Sequence, residues 1–434
     1  MSRTIAIDGH NLALQRGTGV ATYAKSLADA VTTMGWSVQT LYGAPVSHRA
    51  PALLREVSFF DYLGGIRSKQ NVLSEIVGWV KEALTTPLGR TAVEIPVTGS
   101  VEVRRFDSRL PRRSAIFNVE DMFGVARRHF QRYGRFLEVK MAHAPDAMHW
   151  TYPLPIRLAG VPNIYTIHDL VPLKLPYTTL DNKRYYFRLI RECIRSGNLI
   201  CTVSEQSKRD IVELFDVPDE RVINTYQAVE PSWGNAGRSR SEVEHEVAGL
   251  YGLEPGNYFL FFGAIEPKKN VGRLVEAFLS VPLRASLVIV GSLAWKSAEE
   301  MKLIDSLLKM RPELGRRIRV FDYAPRQFLV SLVRSAKAVV FPSLYEGFGL
   351  PVLEAMQLGT PTLSSTEGSL PEVAGDATLS VDPYDVAAIA RGLTQLDCDD
   401  ALRARLAAAG IERATQFNMS IYQTRLRELY QRVF

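Results

Sequence analysis

Apolar and polar positions alternate between two rhythms along the whole chain. Short continuous apolar runs bounded by turn residues read as buried strands at 4–7, 38–41, 147–149, 164–167, 199–203 and 222–225. Between them, apolar positions recur at helical spacing over about 20–33, 68–84, 125–141, 181–196 and 205–215. Periodicity is lost over 231–256, after Pro231-Ser-Trp-Gly-Asn-Ala-Gly, with a short charged helix expected around 242–248. The rhythm then resumes, with strands near 258–262, 286–290, 318–321, 338–341 and 362–364 and closing helices at 384–396, 400–416 and 418–432. Strands alternating with helices predict parallel sheets covered on both faces. The break divides the chain into a first domain over 1–230, a linker over 231–256, a second domain over 257–416 and a last helix over 417–434.

At 434 residues the chain is long enough for two domains, each with its own core. An apolar content of 46% with 23% charged residues describes a globular protein. No apolar run approaches the roughly 18 residues that span a bilayer, and the first residues lead straight into a strand without a signal-peptide core. Cys193, Cys201 and Cys398 fit neither a metal cluster nor a disulfide framework. A reduced, cytoplasmic protein is expected.

The chemistry concentrates in the second half. In Pro342-Ser-Leu-Tyr-Glu-Gly-Phe-Gly-Leu-Pro-Val-Leu-Glu354, a strand runs into a glycine turn and then a helix that Pro351 opens. Backbone N–H groups in such a turn approach an anion closely, and the helix dipole favours negative charge there. Glu346 is placed in the turn and Glu354 on the first helical turn, facing the same crevice. Carboxylates beside an anion hole require hydroxyls to bind, and a nucleotide sugar supplies both diphosphate and hydroxyls. Upstream, a strand ending in Gly263 leads into Ile265-Glu-Pro-Lys-Lys-Asn270 and a helix with apolar Val271, Leu274, Val275 and Phe278. Lysines between a strand's carboxyl end and a helix are placed to hold a diphosphate in an open α/β sheet. Alone, Lys268-Lys269 would be a solvated loop and the glutamates solvated acids; together each supplies the other's counter-charge.

These two segments, with Leu358-Gly-Thr-Pro361 and Leu370-Pro-Glu-Val-Ala-Gly-Asp376, resemble the retaining glycosyltransferases of family 4. The resemblance covers most of 257–385 and is looser in the first half. It implies the α/β GT-B fold: two Rossmann-like, doubly wound domains facing across a cleft, with the last helix crossing back to the first domain. It implies a donor site made by Gly19, Gly263, Lys268, Lys269, Phe348, Gly349, Leu350 and Glu354. Lys269 would act on the leaving diphosphate with Lys268 in support, Glu346 would orient the transferred sugar, and Glu354 would hold the ribose. In the first half, Gly17-Thr-Gly19 fails as a dinucleotide fingerprint because Thr22 takes the third glycine position. Its place matches the family's glycine loop over the donor, with Arg16 as a stand-in for the basic residue found there. His168-Asp169 ends an apolar strand, where it would otherwise read as a capping pair. The resemblance places His168 against the donor sugar at the reacting centre, with Asp169 and Gly17 as further contacts.

The implied reaction moves a hexose, with mannose from GDP-mannose as the expected donor, to a glycan or polyprenyl-diphosphate-linked acceptor in bacterial surface polysaccharide or lipopolysaccharide synthesis. Cofactors are not called for, since the nucleotide sugar is a substrate. No metal is expected either: Asp397-Cys-Asp399 spells Asp-x-Asp but lies between two helical patterns and reads as a capping loop. A silent GT-B scaffold and a nucleotide-sugar hydrolase or epimerase are the alternatives; Lys269, Glu346, Glu354 and His168 are all present, against the silent copy.

The formal net charge is +6. Nine arginines over 104–135 (Arg104, Arg105, Arg109, Arg112, Arg113, Arg127, Arg128, Arg132 and Arg135) interleave with Phe123, Phe130, Tyr133 and Phe136. The pattern suits peripheral docking on anionic lipid headgroups or a diphosphate-linked acceptor; the same spacing would also arise from core aromatics beneath solvated arginines. No motif for nucleic acid accompanies the charge.

Overall fold

The computed structural model describes residues 3–14, 19–65, 89–106, 109–111, 114–229, 238–292, 306, 309, 315 and 317–434. Two sheets organise it. The first has ten strands in the spatial order Val222–Asn224, Leu199–Thr202, Asn163–Thr166, Ala147–Trp150, Thr4–Asp8, Ser37–Tyr42, Ala115–Asn118, Arg90–Ile95, Leu137–Met141 and Ile156–Leu158. The second has six, in the order Ile318–Phe321, Ser286–Val290, Tyr258–Phe262, Ala338–Phe341, Thr362–Ser365 and Leu379–Val381. The apolar runs explain the interior strands: Tyr258–Phe262 and Ala338–Phe341 are buried along their whole length, as helix-covered parallel strands must be.

All six strands expected in the first half and all five in the second are present, shifted by a residue or so at their ends. Five further strands were not read from the sequence: Arg90–Ile95, Ala115–Asn118, Leu137–Met141, Ile156–Leu158 and Leu379–Val381. The sheets are also not wholly parallel. Arg90–Ile95 pairs antiparallel with Ala115–Asn118. The helix expected over 125–141 is two elements. A helix Met122–Tyr133 stops at Gly134, whose φ of 66° provides a left-handed C-cap. The strand Leu137–Met141 follows, with Leu137 and Val139 buried and Glu138 and Lys140 exposed, a period of two embedded in a basic stretch. The helix expected over 68–84 lies outside the described residues.

Within 231–256 the charged helix is longer than expected, Arg240–Tyr251, and starts with a full capping box between Ser239 and Glu242. It packs on the helix Arg326–Arg334, where Ser331 hydrogen-bonds Glu246, so it is an integral part of the second layer. The last helix, Met419–Gln431, crosses back. Tyr430, fully buried, hydrogen-bonds through its hydroxyl to Nδ1 of His149 at 2.8 Å, and its ring packs beside Trp36. Tyr226 and Phe417 cross edge to face at 5.4 Å along the same seam. The two sheets are thereby held with the carboxyl ends of their strands toward a shared cleft, where open α/β sheets bind ligands.

Candidate functional site

The glycine turn between the strand Ala338–Phe341 and the helix Leu350–Gln357 is one of the parts of the second domain that meet the first. Gly347 has no room for a side chain: a Cβ there would lie 2.4 Å from the carbonyl oxygen of His168 and 3.1 Å from Cβ of Asp169. That same carbonyl accepts from Oγ of Ser207 at 2.8 Å. Next to Gly347, the hydroxyl of Tyr345 hydrogen-bonds Asp210, which Lys174 also engages at 2.9 Å. Behind the turn, a cavity of about 410 Å³ opens between the domains, lined among others by Arg209, Tyr345, Gly368, Glu372 and Tyr384.

The lysines reach this turn because Pro267–Lys269 forms a single 3-10 turn that Asn270 terminates with φ 63°. Asn270, buried, donates from Nδ2 to the carbonyls of Pro342 at 3.0 Å and Pro383 at 2.7 Å. It fastens the lysine loop to the glutamate loop, as does the N–H of Leu344 donating to the Lys268 carbonyl at 2.7 Å. Lys269 Nζ then donates to Oε1 of Glu346 at 2.6 Å. Lys268 Nζ lies among three carboxylates, 3.7 Å from Glu266, 3.8 Å from Asp169 and 4.0 Å from Glu346. Asp169 comes from the first domain, so this cluster bridges the cleft.

The charges are mutually dependent. Burial opposes the charge of Glu346, but Lys269 and Lys268 outweigh it and hold the carboxyl below its ordinary range. Burial likewise opposes the Lys268 ammonium, yet Glu346, Asp169 and Glu266 hold it above its ordinary range. Burial pushes the Glu266 carboxyl up despite the lysines. Glu354 has no such neighbours: it is buried, and burial raises its carboxyl to about 8, with Arg326 pulling only partly the other way. Glu354 sits on the second turn of Leu350–Gln357, not the first as the sequence suggested, because the helix starts at Leu350 after Gly349, whose φ is 102°.

His168 lies across the cleft. Its Nε2 donates to the carbonyl of Thr151 at 2.8 Å, and its ring stands edge-on to Tyr23 at 4.8 Å. Burial lowers its pKa, so the ring is neutral, with Nδ1 left as its acceptor nitrogen. Gly19 opens the helix Gly19–Thr33, with the Leu350 side chain 3.8 Å from where its Cβ would be. Gly263, at φ 137°, lies so close to Gly291 that a Cβ on the latter would overlap its carbonyl. The Phe348 ring is packed between Tyr226 and Phe417, at 6.3 and 5.6 Å, so only its backbone is available to a ligand. Gly17 and Arg16 lie outside the described residues.

The sequence drew together the lysines, Glu346 and Glu354, and the structure brings the lysines and Glu346 into direct contact with Asp169. It missed Glu266, Asn270, Ser207 and Asp210. Glu266 and Asn270 were visible only as members of the lysine motif; Ser207 and Asp210 carry no local signal, because their partners His168, Lys174 and Tyr345 lie far along the chain. Asp397 and Asp399 do other work. Asp399 caps the helix Asp400–Ala414 by accepting from Leu402 N–H at 2.8 Å, and Asp397 pairs with Lys337 at 2.6 Å.

Comparison with known proteins agrees with this geometry. Residues 251–413 match the family model for glycosyl transferases group 1, and residues 98–233 match the model for glycosyltransferase family 4. The chain is 36% identical over 284 residues to O-antigen chain mannosyltransferase B of Escherichia coli, covering 64% of this chain and 70% of that protein. It is 28% identical over 369 residues to the serotype-specific mannosyltransferase WbdA of Escherichia coli, covering 78% of this chain but only 45% of that longer protein. In fold it resembles sucrose-phosphate synthase from Thermosynechococcus elongatus, with a TM-score of 0.67 at 17% identity over 100% of this chain and 99% of that one. Anabaena HepE, solved with UDP-glucose, likewise gives 0.67 at 14% identity over 99% and 100%. Two sheets facing a cleft, a lysine–glutamate cluster at their junction and these matches together place the chain among the family 4, group 1 glycosyltransferases, with the GT-B fold.

Proposed function

We propose that the protein is a retaining, metal-independent mannosyltransferase that moves mannose from GDP-mannose to a glycan or lipid-linked glycan of a bacterial surface polysaccharide. The donor and product class rest on the relatives, named as O-antigen and serotype-specific mannosyltransferases. The single observation that carries the reading is the buried Lys269–Glu346 pair at 2.6 Å, with Lys268 beside it and Asp169 closing it from the other domain.

The pair suits a site that waits for a diphosphate. Without donor, each partner satisfies the other's charge; a lone buried ion would be several kcal/mol less favourable. An arriving diphosphate competes for Lys269, which frees Glu346 to accept from sugar hydroxyls. As the anomeric C–O bond to phosphate breaks, its electron pair stays with the diphosphate, and Lys269, Lys268 and the amides at Gly349–Leu350 stabilise that charge where it forms. The acceptor hydroxyl bonds to the anomeric carbon from the same face, and its proton passes to the departing phosphate oxygen. Configuration is retained without a protein nucleophile. Neutral His168 faces the sugar as a polar wall, and Glu354 bonds the ribose. Lysines and amides supply the positive charge that a metal provides elsewhere. The exposed Arg127, Arg132 and Arg135 form a basic strip suited to anionic headgroups beside a lipid-linked acceptor; among the described residues no helix is long and apolar enough to cross a membrane.

The test is transfer from GDP-mannose to octyl α-D-mannopyranoside in excess EDTA. An α-linked dimannoside is expected. Transfer only from another nucleotide sugar overturns the donor, loss of activity restored by Mg²⁺ overturns metal independence, and a β-linked product overturns retention.

A further inference from the structure

Asp210 lies where the two domains meet behind the lysine–glutamate centre. It belongs to the helix Glu205–Phe215 of the first domain, and its side chain is buried. Its two carboxyl oxygens are divided between the domains. Oδ1 accepts from Lys174 Nζ at 2.9 Å and from Gln206 Nε2 at 3.0 Å, both of the first domain. Oδ2 accepts from the hydroxyl of Tyr345, which belongs to the second. Burial, and after it the Asp210 carboxyl itself, raise the Tyr345 phenol, so the hydroxyl keeps its proton and remains a donor.

Two of these donors stand next to groups of the transfer site. Lys174 ends the short helix Val171–Lys174, which follows His168-Asp169 after a single residue. Tyr345 directly precedes Glu346. The turn carrying Glu346 is stiff within its own domain. The Glu346 carbonyl accepts from the N–H and the hydroxyl of Ser369 at 3.2 and 3.0 Å, and a Cβ on Gly368 would lie 2.8 Å from the Glu346 nitrogen. A stiff turn moves as a unit, so the bond from Tyr345 fixes its place against the first domain. Other polar contacts across the same junction are longer: Ser207 Oγ is 3.5 Å from the Gly347 carbonyl, and Lys268 Nζ is 3.8 Å from Asp169. One buried carboxylate thus ties the segment carrying His168 and Asp169 to the turn carrying Glu346.

We propose that Asp210 and Tyr345 are positioning residues for the transfer: their bond sets the spacing of Glu346 from His168 and Asp169. It thereby sets where the transferred sugar stands when the anomeric bond breaks, and a small misplacement there is costly to rate. This deepens the transferase reading and rests on it. Lys269, Gly349 and Glu354, which hold the nucleotide in that reading, belong to the second domain alone, so GDP binds without the tie.

Tyr345→Phe tests the tie, because it removes the hydroxyl and keeps the ring. The cavity behind the turn is lined by Lys174, Gln206 and Tyr345 among others, so water can take the place of the hydroxyl and the variant should fold. Initial rates of mannose transfer from GDP-mannose should show kcat about tenfold lower, the scale of one bond to a charged group, with GDP affinity unchanged. Asp210→Leu removes the acceptor, and there Tyr345→Phe should cost nothing further. In a Glu346→Gln background Tyr345→Phe should cost about twofold at most, since the group it positions is already altered. Hydrogen exchange of the same proteins gives a readout that needs no activity: peptides over 168–174 and 343–349 should exchange faster in Tyr345→Phe, as the junction opens more often. Unchanged kcat in Tyr345→Phe, equal losses of kcat and GDP affinity, or the full tenfold loss in the Glu346→Gln background overturns the proposal. Exchange equal to the parent's overturns it whatever the kinetics show, and Tyr345→Phe alone decides if Asp210→Leu does not fold. A parent that transfers nothing from GDP-mannose strikes at the transferase reading, while faster exchange in Tyr345→Phe still supports the tie.

Discussion

The two walls of the cleft are built differently. The second domain contributes contiguous stretches, 266–270 and 346–354, each following directly from a buried strand, and two backbone-fixed loops carry nearly all of its chemistry. The first domain contributes single residues or pairs from several strand ends: His10 and Asn11, Thr151 and Tyr152, His168 and Asp169, Ser207 and Asp210. A diphosphate presents the same charge in every donor, so a fixed motif suffices to hold it. An acceptor sugar presents a pattern of hydroxyls, which dispersed side chains can match. On the proposed function, the wall with local motifs holds the common part of the reaction and the dispersed wall holds the particular part.

The largest expected effect comes from breaking the motif wall. Lys269→Ala should lower kcat by about 100-fold or more, the usual loss when one donor to developing charge is removed. Glu346→Gln should also lower kcat, with less change in GDP affinity, because the proposed reaction has the glutamate meet the sugar and the lysine meet the phosphate. Initial-rate kinetics with GDP-mannose check both; equal losses of GDP affinity in the two variants would erase the division of labour.

Glu354 sharpens the comparison at a smaller scale. Its carboxyl titrates at about 8 in the fold and near its ordinary value when unfolded. Between those values the folded state binds one more proton than the unfolded state, so this group lowers stability as pH rises through that window. Glu354→Gln removes the effect. Relative to the parent, its melting temperature should be similar below about pH 4.5 and increasingly higher toward pH 8, while its GDP affinity falls about tenfold. Parallel melting curves for the two proteins across that range would contradict the burial of this acid.

The same difference between walls governs what could be read from the chain. Continuous apolar runs such as 258–262 and 338–341 identify parallel strands without ambiguity, and the lysine and glutamate motifs follow them within a few residues. The strand Leu137–Met141 was hidden because Glu138 and Lys140 continue the charged rhythm of the preceding helix, and only the glycine at 134 marks the change. The antiparallel strand Arg90–Ile95 carries polar residues on its half-exposed face. The clamp around Asp8, which accepts from the N–H groups of Thr151 and His10, was not legible at all. It joins Asp8 to Thr151, a separation of 143 residues, which no local pattern announces. The arginine stretch was legible as charge but ambiguous as packing. Phe130 is buried and Phe123 leans on His10, while Arg128 pairs with Asp121 at 2.8 Å.

The smallest effect is expected there. Replacing Arg127, Arg128, Arg132 and Arg135 with Gln should leave donor kinetics and melting temperature nearly unchanged, since exposed charges add little stability. Binding to anionic vesicles should fall, most clearly at low salt. Vesicle binding equal to the parent's would reduce the strip to a solvated face.

The division between the walls is tested most directly by titrating GDP into two variants side by side. Lys268→Ala/Lys269→Ala cuts the motif wall, and His10→Phe/Thr151→Val cuts the dispersed wall. The account predicts that GDP affinity falls at least tenfold in the first, as charge-assisted bonds are lost, and is unchanged in the second. Unchanged affinity in the lysine variant, or an equal fall in both, would contradict it.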